Sequence, residues 1–445
     1  MIENDAFKLL LINLFHLNPD DITNIVCTTF NKMMVLLVTL ADKHQACPYC
    51  GFTAPKIKEY VTKEITHSAL TTQKCIIKYR ARRYKCPCCG KTYYEFNPFV
   101  FKSQKISILT VHNILKDLKD FNETFTSVAR RYHVSPTSVS TIFDNHVDIG
   151  RNPLPEIINF DEVYAFKSEK SKYVCVLLDF KKQIPVDVLP NRKKEYLLNY
   201  FQKIPLEERK KVKYACSDMY EVYRDVVHKV FPESKHLLDY FHLSQDFHKK
   251  MNEVRIKVMK GYKDNKASDE YYLLKKFNWL LFKNPEDEDK YGRLFDVERE
   301  RKYNSHFKSY MNYYDLRKKL LEINNDLTIC YSLKLELVDF YSKSTIDNAQ
   351  VNLEHLIRSF IDTNIEEMIK FSNNLINWKQ EIINSFTIVG TEYKVEADKG
   401  QVVVCNKKVN NAIIENRNKI IKCIKNNANG YTNWSRFRNR VMYVL

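Results

Sequence analysis

Ile157-Ile-Asn-Phe-Asp-Glu-Val-Tyr-Ala165 sets an adjacent acidic pair, Asp161 and Glu162, inside a run of strand-forming residues. The pattern predicts a strand over Glu156–Ala165, with further strands over Tyr173–Phe180 and Ile184–Leu189. A helix is expected over Lys193–Gln202, a strand over Val212–Cys216, a helix over Glu221–Phe231 and a short strand over Lys235–Leu238. Asp218 directly follows the fourth strand, in Val212-Lys-Tyr-Ala-Cys-Ser-Asp-Met-Tyr220.

Three consecutive strands, then helix and strand alternating, is the order of a ribonuclease-H-like sheet. The first and fourth strands of such a sheet are neighbours, so Asp161 and Asp218 can point at one spot. A third acid, Glu415, lies on a basic helix expected over Asn411–Lys425, which would pack across that edge. Three carboxylates suit phosphodiester chemistry: they can hold two Mg(II) or Mn(II) ions ~3.5–4 Å apart, one beside the attacking oxygen and one beside the leaving oxygen. An aspartate at a strand end also serves as an ordinary cap or ion-pair partner. Glu162 is the nearest rival to Asp161 but occupies the opposite face of its strand; Glu221, Asp179 and Asp225 are weaker rivals.

Upstream, Cys47-Pro-Tyr-Cys50-Gly and Cys86-Pro-Cys88-Cys89-Gly-Lys are separated by residues 51–85. Two Cys-x-x-Cys turns present four thiolates that can surround one structural Zn(II), and glycine after each suits a tight turn. Cys86 and Cys89 repeat the spacing of Cys47 and Cys50, which leaves Cys88 as a spare thiol; Cys75 and His67 are substitute ligands of lower rank. Lys78, Arg80, Arg82, Arg83 and Lys85 make the approach to the second knuckle cationic, the character of a nucleic-acid contact. The alternative is a zinc site that only holds the chain together.

Beyond this module, helices are expected over Ile106–Leu118, Thr126–Tyr132 and Pro136–His146. Ser135 can cap the last of them, and Pro136 takes its favoured first position. Val128, Ala129, Val134, Val139 and Ile142 fall where a helix-turn-helix buries its contacts. Thr137, Ser138, Ser140 and Thr141 would then face a DNA major groove. An ordinary helical hairpin is the competing reading.

The 445 residues exceed one ordinary core and carry 71 basic against 54 acidic side chains, a net of +17. That balance favours a polyanionic partner. Sparse Gly and Pro argue against long disordered linkers. No run approaches the ~18 apolar residues of a membrane span, and the acidic start does not read as a signal peptide. Twelve cysteines without export features read as reduced thiols and metal ligands, which places the chain in the cytoplasm. The expected architecture is multidomain α+β. It comprises a lead-in over 1–45 (helix Phe7–Phe15, strand Met33–Leu40), a zinc ribbon over 46–97 and a helix-turn-helix over 104–148. A core over 156–242 and 386–445 follows, interrupted by a helical insertion over 243–385. Ile388–Val404 has mixed strand character.

Together these motifs resemble the ISL-three family of bacterial insertion-sequence transposases along essentially the whole chain. The likeness rests on both cysteine knuckles, Phe160-Asp-Glu162, Ser217-Asp-Met219 and Leu238-Asp-Tyr-Phe-His242. It continues in Ile414-Glu-Asn-x-Asn-Lys-Ile420 and Asn429-Gly-Tyr-x-Asn-Trp-x-x-Phe-Arg438. The resemblance implies a D-D-E transposase carried onto Asp161, Asp218 and Glu415. Asp239 and His242 then match a D-x-x-H element that supports the active site and flanking DNA; a buried histidine at a helix start is the alternative for His242. One departure is the turn before the last acid, Asn410-Asn-Ala412, where relatives usually carry glycine. The implied partners are double-stranded transposon ends and target DNA, held by at least a homodimer close to the nucleoid. Arg417, Lys419, Lys422 and Lys425 are spaced to line one side of the glutamate helix, beside DNA or as a solvated face. A transposase-derived DNA-binding regulator and a metal-dependent nuclease without strand transfer are the competing functions.

Overall fold

The computed structural model describes residues 2–43, 46–101, 104–166, 171–395 and 402–445. The chain divides into two compact units: Met1–Arg151 with Tyr164–Ser168 and Lys419–Leu445, and Asn152–Val163 with Glu169–Asn418.

In the first unit, α1 (Ile2–Leu14) precedes a hairpin of β1 (Ile22–Phe30) and β2 (Met33–Leu40). Asn31 and Lys32 close it with φ of 48° and 59°, the geometry that matches strand twist in a two-residue loop. β3 (Lys56–Thr66), β4 (Cys75–Lys85) and β5 (Thr92–Tyr94) complete a sheet of order β1-β2-β4-β3, with β5 also on β4. β2 runs parallel to β4, so the segment before the first knuckle shares one sheet with the ribbon between the knuckles. Ile12, Phe15, Leu36, Ile77 and Tyr79 are buried together in the core of this sheet.

Next come α2 (Ile108–Asp117), α3 (Phe125–Arg131) and α4 (Pro136–His146), within two residues of the expected spans. Thr124 and Ser127 form a capping box on α3, and Ser135 accepts from the Ser138 amide at the start of α4. His133, at φ 53°, makes the turn between them. Val128, Ala129, Val139, Ile142 and Phe143 are buried in one cluster.

The second unit contains β6 (Ile157–Val163), β7 (Val174–Asp179), β8 (Pro185–Leu189), α5 (Lys194–Gln202), α6 (Leu206–Arg209), β9 (Tyr214–Ser217), α7 (Glu221–Val230) and β10 (Lys235–Leu238). Its sheet order is β10-β9-β6-β7-β8, the antiparallel β6-β7-β8 meander extended by parallel β9 and β10. Side chains alternate across β6. Ile158 and Phe160 enter a core with Leu197 and Phe201 of α5 and Tyr223, Val226 and Val227 of α7. Ile157 packs on the other face with Cys216, Leu237 and Val409.

The insertion follows as α8 (Tyr240–Lys260), α9 (Asp269–Lys276), β11 (Glu288–Asp289), β12 (Gly292–Arg293), β13 (Lys302–Asn304) and β14 (Ser309–Met311). Its remaining helices are α10 (Tyr313–Glu322), α11 (Asn325–Lys343), α12 (Ala349–Ile361), α13 (Glu366–Asn377) and α14 (Lys379–Asn384). Two short hairpins thus interrupt what the sequence suggests is almost wholly helical. In the core of the bundle Phe247 packs edge to face on Phe360 and Phe371, which are tilted against each other. A ribbon of β15 (Ile388–Val395) and β16 (Val402–Lys408) leads into α15 (Ala412–Asn427); residues 396–401 of the expected strand stretch lie outside the described residues.

α16 (Trp434–Val444) returns to the first unit, where buried Arg440 donates to the carbonyls of Asp120 and Glu123. No helix among the described residues is long and apolar enough to cross a membrane.

Phe160 is fully buried against Phe201, Tyr223 and Phe231. Phe160→Ala is expected to destabilise this unit by ~3–5 kcal/mol in chemical denaturation. A loss below ~1 kcal/mol would contradict the packing described.

Candidate active site and metal centre

β6 runs beside β9 with Asn159 opposite Cys216, and β10 beside β9 with Leu238 opposite Ser217. Continuing each strand takes the chain to Asp161, Asp218 and Asp239. Asp218 and Asp239 thus directly follow β9 and β10, and Asp161 lies near the C-terminal end of β6, past its last pairing with β9, on the side where open α/β sheets gather their ligands.

Helix α15 meets this edge through Asn411, whose side chain is fully buried. Asn159 Nδ2 donates to Asn411 Oδ1 at 2.7 Å and to Asn410 O at 2.8 Å. Asn411 Nδ2 donates to Phe160 O at 3.2 Å, and its backbone amide to Asp239 Oδ1 at 3.2 Å. One turn later, Glu415, Asp239 and His242 bring one donor atom each to within 4.8 Å of one another. Asn418 lies three residues after Glu415, on the same helix face. Its Nδ2 donates to Asp161 Oδ2 at 2.7 Å, while Asp161 Oδ1 accepts from the Glu162 amide at 2.8 Å.

Burial raises the Asp161 pKa to about 7; the Glu162 amide opposes the rise and the Asp218 charge adds to it. Burial likewise raises Asp218 to about 6, with Glu162 adding and His242 and Arg192 opposing. Asp218 Oδ1 and Asn418 Oδ1 are buried acceptors without a hydrogen-bond partner among the described residues. Crowded carboxylate oxygens with an orphaned acceptor beside them fit a hard divalent cation such as Mg(II) or Mn(II).

The Asp239 carboxylate can only accept, so His242 donates Nδ1–H to it at 2.9 Å. Burial opposes charge on His242, but Asp239, Asp218 and Asp161 together outweigh it and raise the pKa.

The rival acids have partners of their own, although the charge of Glu162 still reaches Asp218. Glu162 pairs with Arg192, just before α5, and accepts from the Tyr223 hydroxyl of α7 at 3.4 Å. Asp179 caps the turn at Lys181 and Lys182, Asp225 pairs with Lys194, and Glu221 lies beside Arg224 and Asn377. Asn159, Asn411 and Asn418 were not singled out as site residues from the sequence. The period between Glu415 and Asn418 was the available signal for the last of them.

In the first unit, Cys47, Cys50, Cys86 and Cys89 bring their sulfurs to within 4.8 Å of one another. Cys47 and Cys89 are 3.7 Å apart, and Cys50 and Cys86 3.5 Å. Sulfurs about 2.3 Å from a tetrahedral zinc ion stand about 3.8 Å apart, so the set fits Zn(II). Both knuckles use one backbone design: Cys47 N bonds Phe52 O and Gly51 N bonds Cys47 O, while Cys86 N bonds Lys91 O and Gly90 N bonds Cys86 O. Gly51 at φ 75° and Gly90 at φ 70° take the left-handed conformation these turns require. Burial opposes ionisation of Cys86, but amides of Cys89 and Cys88 and the Cys50 thiol lower its pKa to about 7. Cys88 is exposed and outside the group. His67 is occupied by Ser107 and Phe15 O, and Cys75 is buried in the sheet core.

Among the cations expected to face DNA, Arg80 and Lys85 are exposed and Arg83 pairs with Glu59. Arg82 turns inward, bonding Glu95 at 2.8 Å and the carbonyls of Leu40 and Ala41, so it fastens the sheet. On α4, Thr137 and Thr141 are exposed, Ser138 contacts Ser135, and Ser140 bonds Thr137 O. On α15, Arg417 donates to Gln183 O, Lys419 and Lys422 are exposed, and Lys425 lies over the Tyr164 ring.

A family model described as transposase matches residues 158–397, just over half of the chain. The protein is a transposase by family, and this implies phosphoryl transfer, a DNA partner and use of divalent metal. The chain belongs to the ISL3-type DDE transposase family. The matched span contains Asp161, Asp218, Asp239 and His242 and ends before Glu415. The chain is also similar to the transposase for insertion sequence element IS1001 of Bordetella parapertussis, at 19% identity over 391 residues, covering 87% of this chain and 86% of the relative.

Asn411→Ala strands the Phe160 carbonyl and the Asn159 amide, so a stability loss of about 1–3 kcal/mol is expected. The rise in Tm produced by Mg(II) should shrink with it; an unchanged rise would show that Glu415 does not depend on this joint. Separately, Cys50→Ser is expected to carry one zinc ion fewer per chain by elemental analysis, and undiminished zinc would remove Cys50 from the ligand set.

Proposed function

We propose that this protein binds the terminal inverted repeats of an insertion sequence, cuts a DNA strand there and joins the freed end to target DNA. What supports the reading is that Glu415 meets Asp239 and His242 while the buried Asp161 feels the charge of Asp218 and both feel that of His242, with one Asp218 oxygen left without a partner among the described residues. Acids concentrated at one strand edge of a +17 chain are otherwise hard to account for.

Asp161, Asp218 and Glu415 are the ligands assigned to a pair of Mg(II) or Mn(II) ions. Bound there, such ions supply charge neutralisation at the phosphate and lower the pKa of an attacking water or hydroxyl. Asn418 fixes the rotamer of Asp161, and Asn411 fixes the distance of Glu415 from the strand ends. Asp239 orients His242, whose pKa the surrounding acids raise, and His242 is assigned to meet a phosphate oxygen. In the first step a water oxygen bonds to phosphorus and the P–O3′ bond breaks, leaving a 3′-hydroxyl and a 5′-phosphate. In the second, that 3′-oxygen attacks a target phosphate, one P–O bond forming as another breaks, so no nucleotide is consumed.

The zinc ribbon and the α3–α4 pair, read as a helix-turn-helix, grip the repeats. Arg80, Arg83 and Lys85 contact phosphates, and Thr137 and Thr141, with Ser138 and Ser140 beside them, face a groove. Lys419 and Arg417 extend this contact along α15. Joining two ends calls for at least two chains. The work is done on cytoplasmic DNA.

The test uses a duplex carrying the repeats that flank the gene. Asp161→Ala, Asp218→Ala and Glu415→Ala are each expected to reduce strand cleavage below detection while specific binding persists. Robust cleavage by any of them takes that residue out of the site. Strand transfer from a pre-cut 3′-hydroxyl separates the transposase from a nuclease, which would cut without joining.

A further inference from the structure

His228 on α7, His236 on β10 and Glu381 on α14 bring one donor atom each to within 4.8 Å of one another. None of the three takes part in the acid cluster or the cysteine knuckles. His236 Nδ1 lies 3.9 Å from Glu381 Oε1, and His228 Nε2 lies 4.0 Å from the same oxygen. His236 and Glu381 are 1% and 5% exposed, whereas His228 opens to solvent.

The protonation of His236 follows from its neighbour. The one hydroxyl hydrogen of Ser217 goes to Asp218 O at 2.9 Å, so Ser217 Oγ accepts from His236 Nε2 at 2.9 Å. With the hydrogen on Nε2, the Nδ1 lone pair faces the Glu381 carboxylate oxygen 3.9 Å away. Nδ1 is buried and has no hydrogen-bond partner among the described residues. A buried imidazole nitrogen without a partner, facing a buried carboxylate oxygen and an open histidine, is a donor set suited to a cation. The neighbouring cation, Arg224, is directed at Asn377 O and the Trp378 ring.

We propose that His228, His236 and Glu381 form a second zinc site, binding Zn(II) through two imidazole nitrogens and one carboxylate oxygen and leaving a fourth position for water. Imidazole donors select zinc over Mg(II) or Ca(II). Ligand atoms at about 2.0–2.2 Å from a tetrahedral ion stand about 3.3–3.6 Å apart, so modest closure by Glu381 and the exposed His228 completes the set. The Ser217 hydroxyl on Nε2 is the outer contact that fixes a ligating histidine. An ion here ties α14, the last helix of the insertion, to β10 and α7. Through Ser217 it also bears on the backbone at Asp218. This is a structural and regulatory site, separate from the assigned phosphoryl-transfer site.

The test measures zinc per chain in the full-length protein by native mass spectrometry and elemental analysis, with Mg(II) in excess. The unmodified chain is expected to hold two zinc ions, and His228→Ala and Glu381→Gln one each. The exposure of His228 makes its variant a fold-neutral probe, which far-ultraviolet circular dichroism checks. Micromolar Zn(II) should raise the Tm of the unmodified chain more than that of His228→Ala. With Co(II) as probe, thiolate charge-transfer absorption from the cysteine site should be equal in both. One zinc ion in the unmodified chain, or two retained in both variants, overturns the proposal whether or not the protein proves to be a recombinase.

Discussion

Helix α15 is joined to the sheet through one buried amide. Asn411 accepts from Asn159, donates to Phe160 O and gives its backbone N–H to Asp239, so a single residue fixes the helix against two strand ends. Asparagine suits the position because its side chain donates and accepts at once, satisfying backbone groups that would otherwise be stranded in the interior. The direction of α15 leaving that joint places Glu415 beside Asp239 and His242, and brings Asn418 onto Asp161. Most of the site's geometry is therefore inherited from a backbone junction, with the acids carried on rigid elements.

The electrostatics follow from the same packing. The sheet edge lies under α15 and beside α8, so its aspartates lose water, and desolvation is the largest contribution to their raised pKa values. Asp218 adds to the cost at Asp161 and His242 offsets part of it, while His242 and Arg192 offset part of the cost at Asp218. The outcome is a cluster of desolvated acids in a chain that is strongly basic as a whole. Asp239 occupies a second role here: it anchors Asn411 through one oxygen and His242 through the other.

The first unit uses a different fastening. Two knuckles of matching hydrogen bonds present four sulfurs at spacings suited to zinc, and Tyr84 and Tyr93 pack around them. Arg82, a member of the cationic strand, is drawn onto Glu95 and two carbonyls of the neighbouring segment, because a guanidinium at that inward position must find acceptors. Its neighbours Arg80 and Lys85 keep their charge at the surface.

Local pattern sufficed for much of this. Alternation and turn residues gave the spans of β2, β10 and α4 as they stand, because period and caps are properties of adjacent residues. The cysteine spacing identified a four-sulfur group for the same reason, and strand order put Asp161 beside Asp218. What pattern did not reveal was contact between residues far apart in the chain. The pairing of β2 with β4, the inward turn of Arg82, the two hairpins of the insertion and the Asn159–Asn411 and Asn418–Asp161 bonds each depend on a partner that neither neighbouring residue nor period specifies. The sequence alone determined which elements form and which acids and thiols they carry. Tertiary packing alone decided which of those groups lose water, meet one another and are left needing a cation, since desolvation and long-range hydrogen bonding exist only once the chain has closed on itself.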